Sequence, residues 1–331
     1  MKDILQYLFE GNTLSTVDAK EILMKIGQDN FSDIEISSFI TVFLMRPITP
    51  DEMKGFRDAL LDLCIRVDLS AYNTVDVCGT GGDEKNTFNI STLSAFVLAG
   101  AGIHVAKHGN YGVSSSCGSS NVLEYFGYTF SKDEKKLKQE IESCGITFMH
   151  APLFHPAMKF VAPVRRTLKM KTFFNKLGPM VNPSFPKNQM VGVYNMEVLN
   201  LFASVYKDTG INYTIIHSLD GYDEISLTGN AAFVTNVETG TLSPENFGLD
   251  LVKASDISGG DSIKESATLF LDILEGKGSP ARINTVLANS ALGIRTVYPE
   301  KSLPECMDMA KNALAGKKAL HIFKKLLYDP S

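Results

Sequence analysis

The sequence predicts an α/β protein: a small N-terminal helical bundle followed by a larger α/β domain with a central, mostly parallel sheet covered by helices. Two patterns support this fold class. Residues 1–70 repeat their apolar side chains at helical spacing, whereas from residue 71 short β-branched runs alternate with helical segments. That alternation is typical of a parallel sheet, because crossover helices join parallel neighbours. We therefore expect a helical domain over 1–70 and an α/β domain over 71–331.

The helix starts of the N-terminal segment carry capping signals. Ser32 precedes Glu35 by three residues, and Thr49 precedes Glu52 in the same way, with Pro50 at the first helical position. In such a capping box each residue's side chain bonds the main-chain N–H of the other, and proline gives up an N–H that has no helical partner. A bundle this small cannot cover all its apolar faces, so we expect it to pack on the rest of the chain or on a second copy.

The elements of the second domain are predicted in chain order. Strands are expected at 74–77, 146–148, 191–194, 213–216 and 233–237, the last entering a turn at 238–240. Helices are expected at 131–144 and around 198–205, each followed by a glycine that marks its end, Gly145 and Gly210. A further helix is expected to begin at Ser302, which forms a capping pattern with Glu305. Residues 155–168 are predicted to be helical despite Pro163, and the Pro- and Gly-rich stretch 178–188 to be a functional loop.

Composition and charge exclude several classes of protein. The net charge is −5 and no basic stripe appears, which argues against a nucleic-acid-binding surface. We expect no signal peptide, because Met1 leads straight into an amphipathic pattern, and no apolar stretch of the sequence reaches the length of a membrane span. Five cysteines without a C-x-x-C pair favour reduced thiols in the cytoplasm over disulfides or a zinc site. We expect a cytoplasmic protein that binds neither nucleic acid nor membrane.

A glycine-rich turn is the most informative local feature. It reads Cys78-Gly79-Thr80-Gly81-Gly82-Asp83, directly after a predicted strand and before an apolar segment that opens with Asn89-Ile90-Ser91-Thr92. Glycine lacks the Cβ atom that keeps a backbone away from a ligand. The main-chain N–H groups of such a turn converge on an anion, and the next helix N-terminus adds partial positive charge. The turn predicts a phosphate or pyrophosphate site, although isolated turns of this kind also occur without a ligand.

A second loop of the same kind strengthens this prediction. It reads Lys107-His108-Gly109-Asn110 and then Ser114-Ser115-Ser116-Cys117-Gly118-Ser119-Ser120, again between a strand-like run and a helix. Two anion-binding loops in one domain indicate a substrate that carries phosphate groups at two opposite ends.

These motifs resemble those of the anthranilate phosphoribosyltransferase family, in the nucleoside-phosphorylase class of phosphoribosyltransferases. Further matching segments follow in family order up to residue 230: His155-Pro156-Ala157-Met158, Val164-Arg165-Arg166, Phe174-Asn175-Lys176-Leu177-Gly178-Pro179, Asn182-Pro183 and Asp220-Gly221-Tyr222-Asp223-Glu224-Ile225-Ser226. One glycine-rich motif is weak evidence, but this many in order are specific. The resemblance implies transfer of the phosphoribosyl group of 5-phosphoribosyl 1-diphosphate (PRPP) to the amine of anthranilate, with release of pyrophosphate, in tryptophan biosynthesis.

The resemblance also implies the organisation of the chain. A helical segment near 155–180 would join the N-terminal helices, which makes the helical domain discontinuous. The chain would form a homodimer through those N-terminal helices.

The resemblance further implies which residues bind the two substrates. PRPP is expected to contact Gly79, Gly82, Asp83, Thr87, Asn89, Ile90, Ser91, Thr92, Lys107, Ser115 and Ser119. Anthranilate is expected at Gly79, Asn110 and Arg165, with His108 as a further candidate for its aromatic pocket. The Arg165 guanidinium suits the anthranilate carboxylate because it donates two parallel hydrogen bonds, and Arg166 remains the alternative.

The resemblance also implies that two Mg²⁺ ions are bound. Asp223 and Glu224 would hold Mg²⁺, and Ser91 would contribute to a second ion on the pyrophosphate. Oxygen ligands suit this hard cation, and charge neutralisation helps the pyrophosphate to leave. An aryl amine is already a neutral nucleophile at pH 7, so we expect catalysis by positioning and electrostatics without a catalytic base.

The second loop departs from the family pattern. Tyr111 and Gly112 stand where most members carry an arginine and a small residue, Ser116 where a basic residue is usual, and Asn121 where an aspartate is usual. The loop would then bind phosphate through main-chain N–H groups, serine hydroxyls and Lys107. We therefore expect the double change Tyr111→Arg with Ser116→Lys to tighten PRPP binding, since charge-assisted hydrogen bonds are the stronger ones.

Two alternatives stay open at this point. A pyrimidine nucleoside phosphorylase of the same fold class would use phosphate without Mg²⁺, but such enzymes usually carry a further C-terminal β-rich domain, for which 331 residues are too few. A non-catalytic paralogue would bind another ligand or nucleic acid, which the net charge of −5 disfavours.

Overall fold

The computed structural model describes residues 1–112 and 116–328. Its α-helices, numbered in chain order, are α1 Lys2–Phe9, α2 Thr16–Gly27, α3 Asp33–Met45, α4 Pro50–Leu63, α5 Ile90–Gly100, α6 Ser119–Tyr125, α7 Glu134–Cys144, α8 Ala151–Phe154, α9 Ala162–Leu168, α10 Phe174–Leu177, α11 Met196–Tyr206, α12 Ile263–Leu274, α13 Pro280–Val297, α14 Leu303–Ala315 and α15 Lys318–Tyr328. Its strands are β1 Val75–Gly79, β2 Val105–Gly109, β3 Ile146–His150, β4 Asn188–Gly192, β5 Asn212–Ser218, β6 Ala231–Thr235 and β7 Thr239–Leu242. The predicted fold class is confirmed.

The chain forms two compact units. The helical unit comprises Met1–Arg66 and Ala151–Pro183, and the α/β unit comprises Val67–His150 and the residues from Ser184 onward. Each unit has its own core.

An aromatic cluster forms the centre of the helical unit. Phe39 and Phe43 of α3 meet Phe56 of α4 edge to face, and the Phe173 ring stacks on Phe56 with ring centroids 4.6 Å apart. Phe173 comes from the second segment of the unit, so that segment supplies part of the core. The capping boxes predicted at the starts of α3 and α4 are both formed.

The predicted helix over 155–168 is wrong as one continuous element. Pro156–Phe160 is a 3₁₀ helix, and α9 begins anew at Ala162, with Pro163 in its first turn. Proline is tolerated there because the first N–H groups of a helix have no helical partner, whereas inside a helix it removes a hydrogen bond. The expected loop 178–188 likewise contains a short 3₁₀ helix, Gly178–Met180, and its last residue begins β4.

A seven-stranded sheet in the order β3-β2-β1-β4-β5-β6-β7 forms the α/β unit. The five strands from β3 to β5 are parallel, and β6 and β7 add an antiparallel edge. Helix α5 is buried on nearly all sides, with Phe96 packed against Phe148, Phe270 and Phe323. No helix in the described part of the chain is long and apolar enough to cross a membrane.

Several predicted boundaries in this unit were displaced. Strand β4 begins at Asn188, ahead of the predicted 191–194, because Asn188 and Gln189 are buried polar residues whose side chains bond Thr74 and Tyr206. Strand β6 ends at Thr235, so the predicted turn at 238–240 lies too late, and Thr239 already belongs to β7. Helix α7 begins at Glu134 because Asp133, not Ser131, provides the N-cap side chain.

Candidate active site

Glycines stand at the carboxyl ends of three neighbouring parallel strands. They are Gly109 of β2, Gly79 of β1 and Gly192 of β4, and the last two are paired in the sheet. The chain runs from β1 outward to β2 and β3 and then returns to place β4 on the other side of β1. In open α/β sheets, ligands bind outside the carboxyl ends of the strands where the strand order reverses in this way. The topology therefore makes the ends of these strands the candidate binding site.

Asp223 approaches two of these glycines closely. A Cβ atom on Gly79 would collide with the Asp223 carboxylate, and one on Gly192 would collide with the Asp223 carbonyl. The N–H of Gly81, a residue with a φ of 64°, donates a hydrogen bond of 2.6 Å to Oδ2 of Asp223. The Asp223 carboxylate thus accepts a hydrogen bond from the glycine-rich turn, where the sequence predicts a bound anion.

Glu224 is held by the first turn of α5. Its carboxylate accepts a hydrogen bond from the main-chain N–H of Ser91. Asn89, the N-cap residue of α5, makes no side-chain cap, and its Nδ2 donates instead to the Cys117 carbonyl at 2.9 Å. The N–H groups at an uncapped helix start are ready to bind an anion, and here a carboxylate takes one of them.

Three acidic side chains lie close together at this point. Burial, and then the charge of Asp83, raise the pKa of Asp223 to about 7. Burial, and then the charge of Asp223, raise the pKa of Glu224 well above its usual range. Asp83 has one buried oxygen that receives no hydrogen bond from any described residue. Asp223 and Glu224 thus favour the neutral form until a cation compensates their charge.

The oxygen donors of Asp223 and Glu224 fit a hard divalent cation such as Mg²⁺. This ion usually binds one or two carboxylates and completes its coordination with water and substrate phosphate. Among residues 1–112 and 116–328, no group of three or more His, Cys, Asp or Glu side chains is arranged to hold a metal ion. The carboxylate pair therefore offers partial coordination that a phosphate ligand would have to complete.

Lys107 is buried within β2, and only 2% of its surface is exposed. Its ammonium group donates to the carbonyl of Val77 and lies 3.2 Å from Oγ of Ser91. The same charge counteracts the rise in the pKa of Glu224. The positive charge of Lys107 thus lies beside Ser91 and Glu224, within the cluster of acidic side chains and away from solvent.

The remaining predicted PRPP residues of the first loop belong to the glycine-rich turn, to the segment after it and to the first turn of α5. Gly82 has a φ of 81°, and Thr87 forms an isolated antiparallel bridge with Ser258. Ile90 and Thr92 are buried in the first turn of α5, where the Ile90 side chain is part of the hydrophobic core. Only the main chain of Ile90 would therefore be available to a ligand.

The predicted residues of the second loop meet at the end of β2. Ser119 opens α6, and its Oγ donates to the Asn110 carbonyl at 3.2 Å. A Cβ atom on Gly109 would collide with that hydroxyl. Asn110 is exposed, whereas His108 is buried in β2, where its main-chain N–H donates to Asp76 at 3.3 Å.

Ser115, the remaining predicted PRPP contact, lies outside the described residues.

The unusual Tyr111 is integrated into this second loop. Its hydroxyl donates to Glu124 at 2.9 Å, and its ring packs edge-on against His150 with centroids 4.7 Å apart. Oδ1 of Asn121 accepts the N–H groups of both Gly112 and Gly118, each at 3.0 Å. Asn121 thereby joins the two arms of the loop.

Ser116 is also engaged. Its hydroxyl donates to the Gly260 carbonyl at 2.6 Å and contacts Oδ1 of Asn86 at 3.3 Å. A lysine in place of Ser116 would lack this hydroxyl, and an arginine in place of Tyr111 would lack the ring that packs against His150. These contacts oppose the expectation that basic residues at both positions would tighten PRPP binding, and titration of the double variant decides between the two outcomes.

The two candidate arginines of the helical unit differ in their surroundings. Both lie on α9, but Arg166 is exposed, whereas burial lowers the pKa of Arg165. The Arg165 guanidinium lies over the Phe174 ring, 5.6 Å from its centroid, and donates a long hydrogen bond of 3.3 Å to Asn175. Its buried Nε has no hydrogen-bond partner among the described residues. A partly desolvated cation with unused donors suits a carboxylate ligand, which favours Arg165 over Arg166.

Two features near Asp223 were not predicted from the sequence. Gly192 was assigned to a strand without a functional role, although a glycine at the carboxyl end of a parallel strand is a recognisable signal. The Lys85 ammonium lies 4.9 Å from the centre of the Tyr222 ring and joins the glycine-rich turn to the Asp223 segment. No sequence pattern indicates that contact, because the two residues are brought together only by the sheet.

Comparisons with known proteins identify the family of the chain. Residues 71–320 match the model of the glycosyl transferase family a/b domain, and residues 2–64 match the model of its helical bundle domain. The chain is 56% identical over 326 residues to the anthranilate phosphoribosyltransferase of Flavobacterium psychrophilum, covering 98% of each protein.

Solved structures of anthranilate phosphoribosyltransferases resemble this chain as well. The anthranilate phosphoribosyltransferase of Thermus thermophilus is 29% identical, with a TM-score of 0.91 and coverage of 98% of each chain. That of Saccharomyces cerevisiae, in complex with PRPP and Mg, is 25% identical, with a TM-score of 0.90 and coverage of 98% of this chain and 95% of the yeast chain. This chain belongs to the anthranilate phosphoribosyltransferase family, within the glycosyl transferase family that joins a helical bundle to an α/β domain.

Proposed function

We propose that this protein transfers the phosphoribosyl group of PRPP to anthranilate with the help of Mg²⁺, the step of tryptophan biosynthesis that forms N-(5-phosphoribosyl)anthranilate. The bond from C1 of the ribose to pyrophosphate breaks, the anthranilate nitrogen bonds to C1, and that nitrogen loses a proton. The observation that carries the proposal is the contact of Asp223 and Glu224 with the glycine-rich turn and the α5 N-terminus. One site thereby combines anion donors with carboxylates for a cation.

Pyrophosphate would bind where these carboxylates now accept hydrogen bonds. The N–H groups of Gly81 and Ser91 point at acidic oxygens, and the Lys107 charge lies beside Ser91. Fixed main-chain donors and a buried cation stabilise charge that develops on a leaving group without having to reorganise first. Gly79, Gly82, Asp83, Thr87, Asn89, Ile90 and Thr92 would complete this part of the PRPP site, and Ser115 and Ser119 would serve the second loop.

Mg²⁺ would be held by Asp223 and Glu224, with Ser91 near a second ion on the pyrophosphate. When bound, Mg²⁺ neutralises charge on the pyrophosphate and on the two carboxylates. The raised pKa values of Asp223 and Glu224 support this assignment, because burial and a neighbouring carboxylate disfavour the charged form of each, and a bound cation would offset both effects.

Anthranilate would be recognised through its carboxylate. Arg165 is the proposed partner, on the evidence of its desolvated guanidinium and unused Nε donor. Gly79, Asn110 and, as a further candidate, His108 would contact the same substrate. The aryl amine needs no base before attack, so these residues orient it rather than activate it.

We also propose a homodimer built through the N-terminal helices. Helices α1 and α3 expose Phe9, Ile34 and Met45, whose side chains are 69%, 79% and 82% exposed. A groove beside them is lined by Leu5, Phe9 and Ile34. Large apolar side chains clustered on one exposed face favour burial against another protein surface, and family resemblance names a second copy.

A fluorescence assay tests the proposed function. Purified protein with anthranilate, PRPP and Mg²⁺ should consume anthranilate, seen as loss of its fluorescence, and excess EDTA should stop the reaction. The same protein with thymidine and inorganic phosphate should release no thymine. Turnover of thymidine in place of anthranilate would assign the protein to the nucleoside phosphorylases, and undiminished turnover in EDTA would exclude the role of Mg²⁺.

A further inference from the structure

The segment that carries Asp223 and Glu224 depends on two buried side chains for its main-chain hydrogen bonds. The Ser218 hydroxyl, at the end of β5, donates to the Glu224 carbonyl at 2.6 Å and accepts the Ser226 N–H at 3.2 Å. Asn289 serves the residue between them, Ile225: its Oδ1 accepts the Ile225 N–H at 3.0 Å and its Nδ2 donates to the Ile225 carbonyl at 2.8 Å. The main chain directly after the carboxylate pair is therefore fixed from two sides.

Asn289 is itself held rigidly. It lies in α13, its exposed fraction is 0%, and its Nδ2 makes another hydrogen bond of 2.9 Å to the Thr285 carbonyl of the same helix. Two carbonyls on Nδ2 and one N–H on Oδ1 leave only one orientation of the amide that satisfies all three groups. The long helix α13 is thus a fixed reference for the position of Ile225.

The held segment is strained in a way that needs such support. Leu227 has a φ of 60°, a left-handed conformation that a leucine rarely adopts, and it is buried. Such conformations persist only where the surrounding structure enforces them, and they cluster at functional sites. Leu227 is three residues after Glu224 and directly follows Ser226, whose N–H bonds the Ser218 hydroxyl.

We propose that Asn289 is a positioning residue for the metal-binding carboxylates, with Ser218 as its partner on the sheet. Asn289 touches neither substrate nor ion; it fixes the peptide of Ile225 and so the direction from which the Asp223 and Glu224 side chains leave the main chain. The proposal rests on the proposed function of that carboxylate pair.

The test compares three variants for cation binding and for kinetics. Asn289→Ala removes both hydrogen bonds to Ile225, and Ser218→Ala removes the opposite half of the support. Thr296→Val is the matched control: Thr296 lies in the same helix, and its buried hydroxyl bonds Thr214 of β5 at 2.7 Å, outside the carboxylate segment. Mn²⁺ replaces Mg²⁺ as the probe, and the free ion is followed by electron paramagnetic resonance in the presence of PRPP.

Asn289→Ala and Ser218→Ala should each weaken Mn²⁺ binding by about tenfold, the factor that corresponds to about 1.4 kcal/mol. Turnover should fall while KM for anthranilate changes little, and Thr296→Val should lose thermal stability without either effect. If Asn289→Ala binds Mn²⁺ and turns over within twofold of Thr296→Val, the proposal is overturned; if it does not fold, Ser218→Ala decides by the same criterion. Absence of PRPP-dependent Mn²⁺ binding in the unmodified protein would instead overturn the proposed metal site, and this inference with it.

Discussion

The main-chain N–H of Gly81 donates a hydrogen bond of 2.6 Å to the carboxylate of Asp223, 142 residues further along the chain. The glycine-rich turn and the acidic segment are thereby one structural unit, although they read as separate motifs in the sequence. In this structure a carboxylate uses a donor that suits a phosphate oxygen, and the neighbouring Glu224 does the same at the N-terminus of α5. Binding of PRPP with a cation would have to exchange these hydrogen bonds.

The carboxylate pair should be essential for turnover. The double change Asp223→Asn with Glu224→Gln keeps size and shape but removes both negative charges. We expect turnover at saturating Mg²⁺ to fall about 100-fold or more, the loss typical of removing a major electrostatic contribution to the transition state. Circular dichroism should show an unchanged fold; near-normal turnover would exclude these residues as the ligands.

The same pair should make stability depend on pH. The pKa of Asp223 is raised from an ordinary value of 3.8 to about 7, so between these values the folded protein binds more protons than the unfolded chain. The free energy of unfolding of the metal-free protein should therefore fall as pH rises through this window. Chemical denaturation at pH 5 and pH 8 measures the slope. The double variant should show a smaller slope and be the more stable protein at pH 8; an unchanged slope would mean that the pair does not titrate in this range.

Arg165→Ala should raise KM for anthranilate more than KM for PRPP. Loss of a charged hydrogen-bonding partner for a carboxylate costs about 2–3 kcal/mol, or roughly 30- to 150-fold in affinity. Arg166→Ala is the matched control, since Arg166 is the next residue of the same helix and is exposed. A larger effect from Arg166→Ala would exchange the roles of the two arginines.

Basic substitutions in the second loop should not improve PRPP binding. Ser116→Lys removes the hydroxyl that bonds the Gly260 carbonyl, and Tyr111→Arg removes the ring that packs against His150. We expect equal or weaker affinity for PRPP in calorimetric titrations at both low and high salt. Tyr111→Phe is the mild control, because it keeps the ring and loses one exposed hydrogen bond, worth about 1 kcal/mol or less. Tighter, salt-sensitive binding by the double variant would show that added charge outweighs the lost contacts.

The proposed dimer should depend on the exposed apolar face of α1 and α3. Light scattering at micromolar concentration should give twice the mass of the chain, and Phe9→Glu with Ile34→Glu should give a monomer, because burying two carboxylates is costly. Val237→Glu is the control: its side chain is 86% exposed and lies in the α/β unit, so the dimer should persist. A monomeric unmodified protein would refute the proposal.

Local signals were sufficient to predict much of the fold from the sequence. Some of these signals act within a few residues and can be predicted without knowledge of distant parts of the chain: the capping boxes at Ser32 and Thr49 and the glycine after α7. The glycine-rich turn was likewise readable, because the need for backbone without Cβ atoms is visible in residue type alone. The start of β4 could not be predicted, since Asn188 and Gln189 resemble loop residues until their partners are known, which are Thr74 just before β1 and Tyr206 at the end of α11.

The composition of the site was therefore determined by the sequence, and its assembly only by the tertiary structure. The glycine-rich turn and the family resemblance nominated Gly79, Asp83, Ser91, Lys107, Asp223 and Glu224 one by one. The parallel sheet decided that Gly79 and Gly192 leave room for Asp223, that Lys107 lies buried beside Ser91, and that Asn289 holds the residue after Glu224. These contacts join residues far apart in the chain, and their energies depend on burial and on nearby charge, which exist only once the chain has folded.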